Sequence, residues 1–166
     1  MSVRRASVED ADGIARVHVT TWQVAYRGVI ADEYLDALDS GERAVAWRER
    51  LTAGVGTVFV AVEEESVVGF IAVGPSPDED CLQLFAIYVL PSHWGSGAAA
   101  ELLDAAVDSR MTVLWTLADN PRARRFYERH GFAFDGGTQN LEFGGREVPV
   151  VRYRRASAPG SLVAER

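Results

Sequence analysis

Apolar and polar positions change their spacing several times along the chain, and each change marks an element. Residues 3–6 form a short mixed run that predicts a first strand. Ser7, with Asp10 three residues on, has the form of a capping box. Ala11, Ile14, Val17, His18 and Thr21 follow at helical spacing, so a helix opens there. Residues 31–54 return to helical spacing, broken at Ser40-Gly41 and stopped near Gly54, which predicts two short helices in place of one long one. Over 57–75 two apolar runs flank a polar turn at 63–66, the pattern of a hairpin. A third long strand follows Asp80 and runs up to Pro91. Ala99, Leu102, Leu103, Ala106 and Val107 then predict a helix, and residues 111–118 another strand. Asn120 and Pro121 suit the N-cap and first position of a helix that Gly131 stops. Two closing strands are expected around Gly144-Gly145. The predicted class is α/β, with residues 1–155 a single domain and 156–166 a disordered tail.

Composition narrows the function classes. At 166 residues, 48% apolar and 25% charged, the chain suits one soluble domain. No apolar run approaches the ~18 residues of a membrane span, and no apolar run follows the early arginines as in a secretory signal. A single cysteine, Cys81, excludes an internal disulfide and makes a cytoplasmic location the expectation. With 17 basic residues against 24 acidic ones the net charge is -7, which argues against nucleic-acid binding through phosphate contacts. A cationic partner suits this charge better.

The candidate chemistry lies at Gly95-Ser96-Gly97, where a strand gives way to a helix. A glycine turn opening a helix presents unpaired N–H groups and the positive end of the helix dipole, an arrangement that favours phosphate. A purely structural turn is one reading. A dinucleotide site is a second, since residues 95–100 fit G-x-G-x-x-A and Asp119 follows at the end of the next strand. Pro91, Ser92, His93 and Trp94 stand between strand and glycines, however, and one further strand-helix pair cannot complete that fold's parallel sheet.

The third reading comes from resemblance. The segment AIYVLPSHWGSGAAAELL, residues 86–103, resembles the signature of the GNAT superfamily of N-acetyltransferases, Gln/Arg-x-x-Gly-x-Gly/Ala, with Trp94, Gly97 and Ala99 at the pattern positions. NPRARRFYERHGF, residues 120–132, is similar to the family's Asn-x-x-Ala-x-x-Phe-Tyr-x-x-x-Gly-Phe, and residues 22–38 resemble the N-terminal helices of small bacterial members. The resemblance implies a mixed, mostly antiparallel central sheet flanked by helices, and acetyl-CoA as acyl donor. It implies that backbone N–H groups of Gly95, Ser96, Gly97, Ala98, Ala99 and Ala100 hold the pyrophosphate, with Trp94 standing where the family has Gln or Arg. The strand Ile87, Tyr88 and Val89 would line pantetheine through main-chain groups of Ile87 and Val89. The Ile87 N–H would polarise the thioester, Asn120 would contact the pantetheine arm, and Tyr127 would protonate the departing sulfur.

The implied activity is transfer of an acetyl group to a primary amine of a small molecule or a peptide N-terminus, by direct attack and without a metal. Trp22, Tyr26 and Gln83 are candidates for the acceptor pocket. Many members carry Glu where this chain has Gln83, and an amide takes no proton near neutrality. That departure keeps an alternative open, a CoA-binding regulatory domain without turnover. His18 is expected to be structural, and Glu79 and Asp80 to sit in a solvated turn. Arg122, Arg124, Arg125 and Arg129 are either a reach toward the adenosine 3'-phosphate or a solvated helix face with an Arg124–Glu128 pair. Acceptor identity, longer acyl groups and a homodimer are left open.

Overall fold

In the computed structural model, which describes residues 1–158, seven strands form one sheet in the order β1-β2-β3-β4-β5-β7-β6. β1 (Ser2–Arg5), β2 (Thr57–Glu63), β3 (Ser66–Pro75) and β4 (Leu82–Val89) are antiparallel neighbours. β4 and β5 (Thr112–Leu117) are parallel, and β5, β7 (Arg146–Arg155) and β6 (Ala133–Phe143) are again antiparallel. A parallel pair needs a crossover, which α4 (Ala98–Ala106) provides. The sheet is therefore mixed and mostly antiparallel, as expected.

Helices cover both faces. α1 (Ala11–Ala25) and α3 (Ser40–Ala53) pack with Val58, Val60, Phe70 and Ala72 on one side. α4 and α5 (Pro121–Arg129) pack with Ala61, Ile71, Val73 and Leu84 on the other. Successive residues of β2 and β3 thus enter opposite cores, which is why residues 57–75 read as apolar runs and not as an alternation. The hairpin between them turns through Glu64 (φ 48°) and Glu65 (φ 65°), left-handed values that match the strands' twist.

Several boundaries differ from expectation for local reasons. The helical break falls earlier than Ser40-Gly41: α2 (Asp32–Asp36) is short, and Asp39 caps α3 by accepting from Glu42 N at 2.8 Å. Gly54 ends α3 at φ 68°, as predicted. The capping-box pair opens a single 3-10 turn ahead of α1, where Asp10 accepts from Ser7 N at 2.7 Å and from Arg4 at 2.8 and 2.9 Å. The third strand stops at Val89, before Pro91. The start of the expected tail is docked, with Ala158 N donating to Ser109 O at 2.9 Å; residues 159–166 of that tail lie outside the described residues. No helix among the described residues is long and apolar enough to cross a membrane.

Candidate active site

The site begins where the sheet comes apart. β4 pairs with β5 only through Leu82, Gln83 and Leu84, after which a bulge at Phe85 turns β4 away while β5 continues along β7. Leu90 N donates to Val68 O at 2.8 Å, so in an antiparallel ladder the alternate residues Val89 and Ile87 direct their N–H and C=O away from β3. Along this edge of β4 the N–H groups of Ile87 and Val89 and the Ile87 C=O therefore face the gap unpaired among the described residues, while the Val89 C=O is taken by Trp94. The gap opens into a cavity of about 700 Å3 lined by this edge, the turn before α4, the first turns of α4 and α5, and the end of α1.

Gly95 (φ 78°) and Gly97 (φ 89°) hold the turn in left-handed backbone, and a Cβ at either would meet no atom within 4 Å. The turn spends two of its amides internally: Ser96 N donates to His93 O and Ala98 N to Ser96 Oγ. The N–H groups of Gly95, Gly97, Ala99 and Ala100 have no acceptor among the described residues, and these residues line the cavity. Ser96 itself is not on the wall. Trp94 is exposed, but its Nε1 donates to Val89 O at 2.8 Å, and Arg122 lies over the ring at 3.7 Å from its centroid.

α5 brings in the aromatic chemistry. Asn120 Oδ1 accepts from Ala123 N at 3.2 Å, the expected N-cap, and the residue also lines the cavity. Tyr127 is held by Phe126, Phe132 and Tyr153, at ring distances of 5.6, 6.0 and 6.3 Å. Its hydroxyl makes no hydrogen bond among the described residues, and burial, with Tyr88 adding to it, raises its pKa well above that of a free phenol. Tyr26 and Tyr88 share the wall, and burial raises both. Trp22 packs behind Tyr26 at 5.1 Å and is not on the wall. Gln83 is also off the wall, accepting from Ser76 Oγ at 3.1 Å.

His18 sits among Trp22, Trp47, Phe70 and Tyr88, and its Nδ1 accepts from Trp47 Nε1 at 3.2 Å. Burial first, and Arg43 second, push its pKa down to about 4. No Asp or Glu is among the described residues lining the cavity, whereas Arg122, Arg129, His93 and His130 are. In a chain of net charge -7 this wall suits an anion.

The arginine cluster divides. Arg124 turns inward, donating to Tyr153 Oη at 2.9 Å and Ala118 O at 3.0 Å, while Tyr153 donates to Glu128 at 3.0 Å. The Arg124–Glu128 pair of the solvated-face alternative is thus replaced by a link through Tyr153. Glu79 is not simply solvated, since Arg154 binds it at 2.7 and 2.9 Å. Sequence reasoning missed Thr21, Phe85, Trp115 and Thr116 on the wall. Only the unpairing of β4 from β5 brings the last three beside the cavity, and no local pattern marks it.

The comparisons with known proteins agree with this geometry. Residues 20–132 match the family model described as Acetyltransferase (GNAT) family. The Bacillus subtilis protein YuaI, an uncharacterized N-acetyltransferase, is 36% identical over 132 residues, covering 73% of this chain and 74% of that one. A probable N-acetyltransferase of Mycobacterium tuberculosis, Rv2775, is 29% identical over 95% of this chain and 96% of its own. Among solved structures, a GCN5-related N-acetyltransferase from Rhodopseudomonas palustris shares the fold at a TM-score of 0.73 and 19% identity, covering 93% and 94% of the two chains. The PaiA N-acetyltransferase of Thermoplasma acidophilum, solved in complex with coenzyme A, does so at 0.67 and 16%, over 93% and 98%. The splayed β4 and β5, the glycine turn at their open end and the sequence match over 20–132 lead to one conclusion: the chain belongs to the Acetyltransferase (GNAT) family.

Proposed function

We propose that residues 1–155 form a cytoplasmic transferase domain that moves an acetyl group from acetyl-CoA to a primary amine of a small molecule or a peptide N-terminus. The observation that carries this reading is the set of acceptor-less N–H groups at Gly95, Gly97, Ala99 and Ala100 beside the free edge of β4. Four unpaired donors at a helix start suit a pyrophosphate, and the β4 edge suits the amides of a pantetheine arm. Acetyl-CoA supplies a thioester whose acyl carbon an amine can attack.

In this reading the Ile87 N–H donates to the thioester oxygen and stabilises the charge that develops there. Tyr26, Tyr88 and Thr21 border the space for the acceptor. The amine forms the C–N bond, the C–S bond breaks, and the electron pair leaves with sulfur. The ammonium proton passes to water: no Asp or Glu is among the described residues of the wall, His93 is paired with Glu63, His130 is bonded to Phe126 O, and His18 is buried and bonded to Trp47. Tyr127 donates a hydrogen bond to the departing sulfur, which takes its proton finally from solvent.

The lack of Asp or Glu among the described residues of the wall also favours the second reading, a CoA-binding regulatory domain. Thiol release from acetyl-CoA with a panel of polyamines, aminoglycosides, amino acids and short peptides, alongside calorimetric CoA binding, separates the two. Release dependent on an amine supports the enzyme; tight binding with no release on any amine supports the sensor; no binding refutes both.

A further inference from the structure

We propose that Arg122, positioned by the face of Trp94, supplies the side-chain cation that binds the pyrophosphate of the donor. The proposal rests on the acetyl-CoA reading above. At position 94 the family pattern has Gln or Arg, side chains able to donate to an anion. An indole has one donor, and here Trp94 Nε1 is committed to Val89 O at 2.8 Å. Position 94 therefore offers nothing to a phosphate. The ring face carries the guanidinium of Arg122 in its place, 3.7 Å from the centroid, the geometry of a cation–π stack.

Arg122 belongs to the first turn of α5, and Trp94 immediately precedes Gly95 at the mouth of the glycine turn. The stack thus joins the first turn of one helix to the residue before the glycine turn of another, at the edge of the cavity that both residues line. That charge is unfavourably placed in the free protein. A cation in the first turn of a helix opposes the helix dipole. Burial lowers the pKa of Arg122, so part of its hydration is already lost. Among the described residues it has no acidic partner and no hydrogen bond. Arg124, two residues on, is tied down by Tyr153 and Ala118 instead. A partly desolvated, unpaired cation beside unpaired amides is compensated by an anion that occupies both.

The test is calorimetric binding of CoA and of 3'-dephospho-CoA to the wild type, Arg122→Ala, Trp94→Phe, Trp94→Ala, Trp94→Arg and the double variant Trp94→Arg/Arg122→Ala, each checked for folding by thermal melts. Arg122→Ala is expected to weaken both ligands by the same factor, about 10- to 100-fold, the scale of a charge-assisted hydrogen bond. The double variant, which returns an arginine to the family position, is expected to recover to within a few-fold of wild type. Trp94→Phe keeps a ring face and should bind more tightly than Trp94→Ala. An unchanged dissociation constant in Arg122→Ala overturns the proposal. So does an effect that vanishes with dephospho-CoA, which would move Arg122 to the 3'-phosphate, or a double variant no better than Arg122→Ala. Failure of the wild type to bind CoA at all would instead remove the acetyl-CoA reading on which the proposal stands.

Discussion

Replacing Tyr127 with Phe separates the ring from the hydroxyl. The ring lies 5.6, 6.0 and 6.3 Å from those of Phe126, Phe132 and Tyr153, contacts a phenylalanine preserves. The hydroxyl has no hydrogen-bond partner among the described residues, so its removal breaks none. The melting temperature should stay within about 2 °C of wild type, corresponding to a stability change under ~1 kcal/mol. Turnover should respond differently. A hydrogen bond to a charged group contributes ~1.5–3 kcal/mol, and if Tyr127 makes one to sulfur in the transition state alone, kcat should fall about 10- to 150-fold. Because burial raises the phenol's pKa, ionising it is costly, and the hydroxyl works by donating a hydrogen bond more than by surrendering its proton. Tyr127 should therefore impose no alkaline limb on the rate below about pH 10. The assay is single-turnover thiol release at saturating substrates, with acetyl-CoA affinity measured separately and expected to hold within a few-fold. Unchanged chemistry in the variant would make Tyr127 purely structural. A wild-type alkaline limb below pH 9 that the variant loses would refute the raised pKa.

Gly97→Ala puts a side chain at φ 89°, which costs roughly 1–2 kcal/mol of stability, and aims its Cβ into space free of protein atoms within 4 Å. Acetyl-CoA affinity should drop at least ~10-fold by calorimetry, and an unaltered affinity in the folded variant would remove the pyrophosphate assignment. His18 titrates near 4 in the folded chain against about 6.5 unfolded, so the unfolded state binds more protons between those values. Its contribution, on the order of 3 kcal/mol, is complete above pH 6.5 and is lost as pH falls to 4. Urea midpoints of His18→Gln should be flatter than wild type across that window, and equal slopes would disprove the linkage. Finally, an alkylamine of pKa ~10.4 is mostly protonated at neutrality, and no Asp or Glu is among the described residues of the wall to relieve it. kcat/KM should rise about tenfold per unit from pH 6.5 to 8.5. A plateau near pH 7 that ignores the amine's basicity would reveal a protein base and refute release of the proton to water.

Local order was legible wherever one residue dictates its own backbone or its neighbours' hydrogen bonds. Asn120, Pro121 and Gly131 bracket α5, Gly54 ends α3, and Gly144 and Gly145, at φ 61° and 78°, make the last hairpin. The glycine turn was legible for the same reason, since positive φ at Gly95 and Gly97 excludes most other residues. A helix break can also be displaced: Ser40 and Gly41, where the interruption was expected, begin α3, because the Asp39 carboxylate reaches the orphan N–H of Glu42 and caps the helix ahead of them.

The sequence by itself determined the order of elements, the strand-to-helix glycine turn and the helix that carries Tyr127. Tertiary structure alone decided what those pieces enclose. The gap between β4 and β5 exists because pairing stops at Leu84 and a bulge at Phe85 redirects the strand, and strand pairing depends on partners far apart in sequence. The same holds for charge. Four arginines in α5 read alike along the chain, yet packing sends Arg124 to Tyr153 and leaves Arg122 on Trp94, far away in sequence. Spacing within a helix fixes which residues share a face; it carries no information about the surface that face meets.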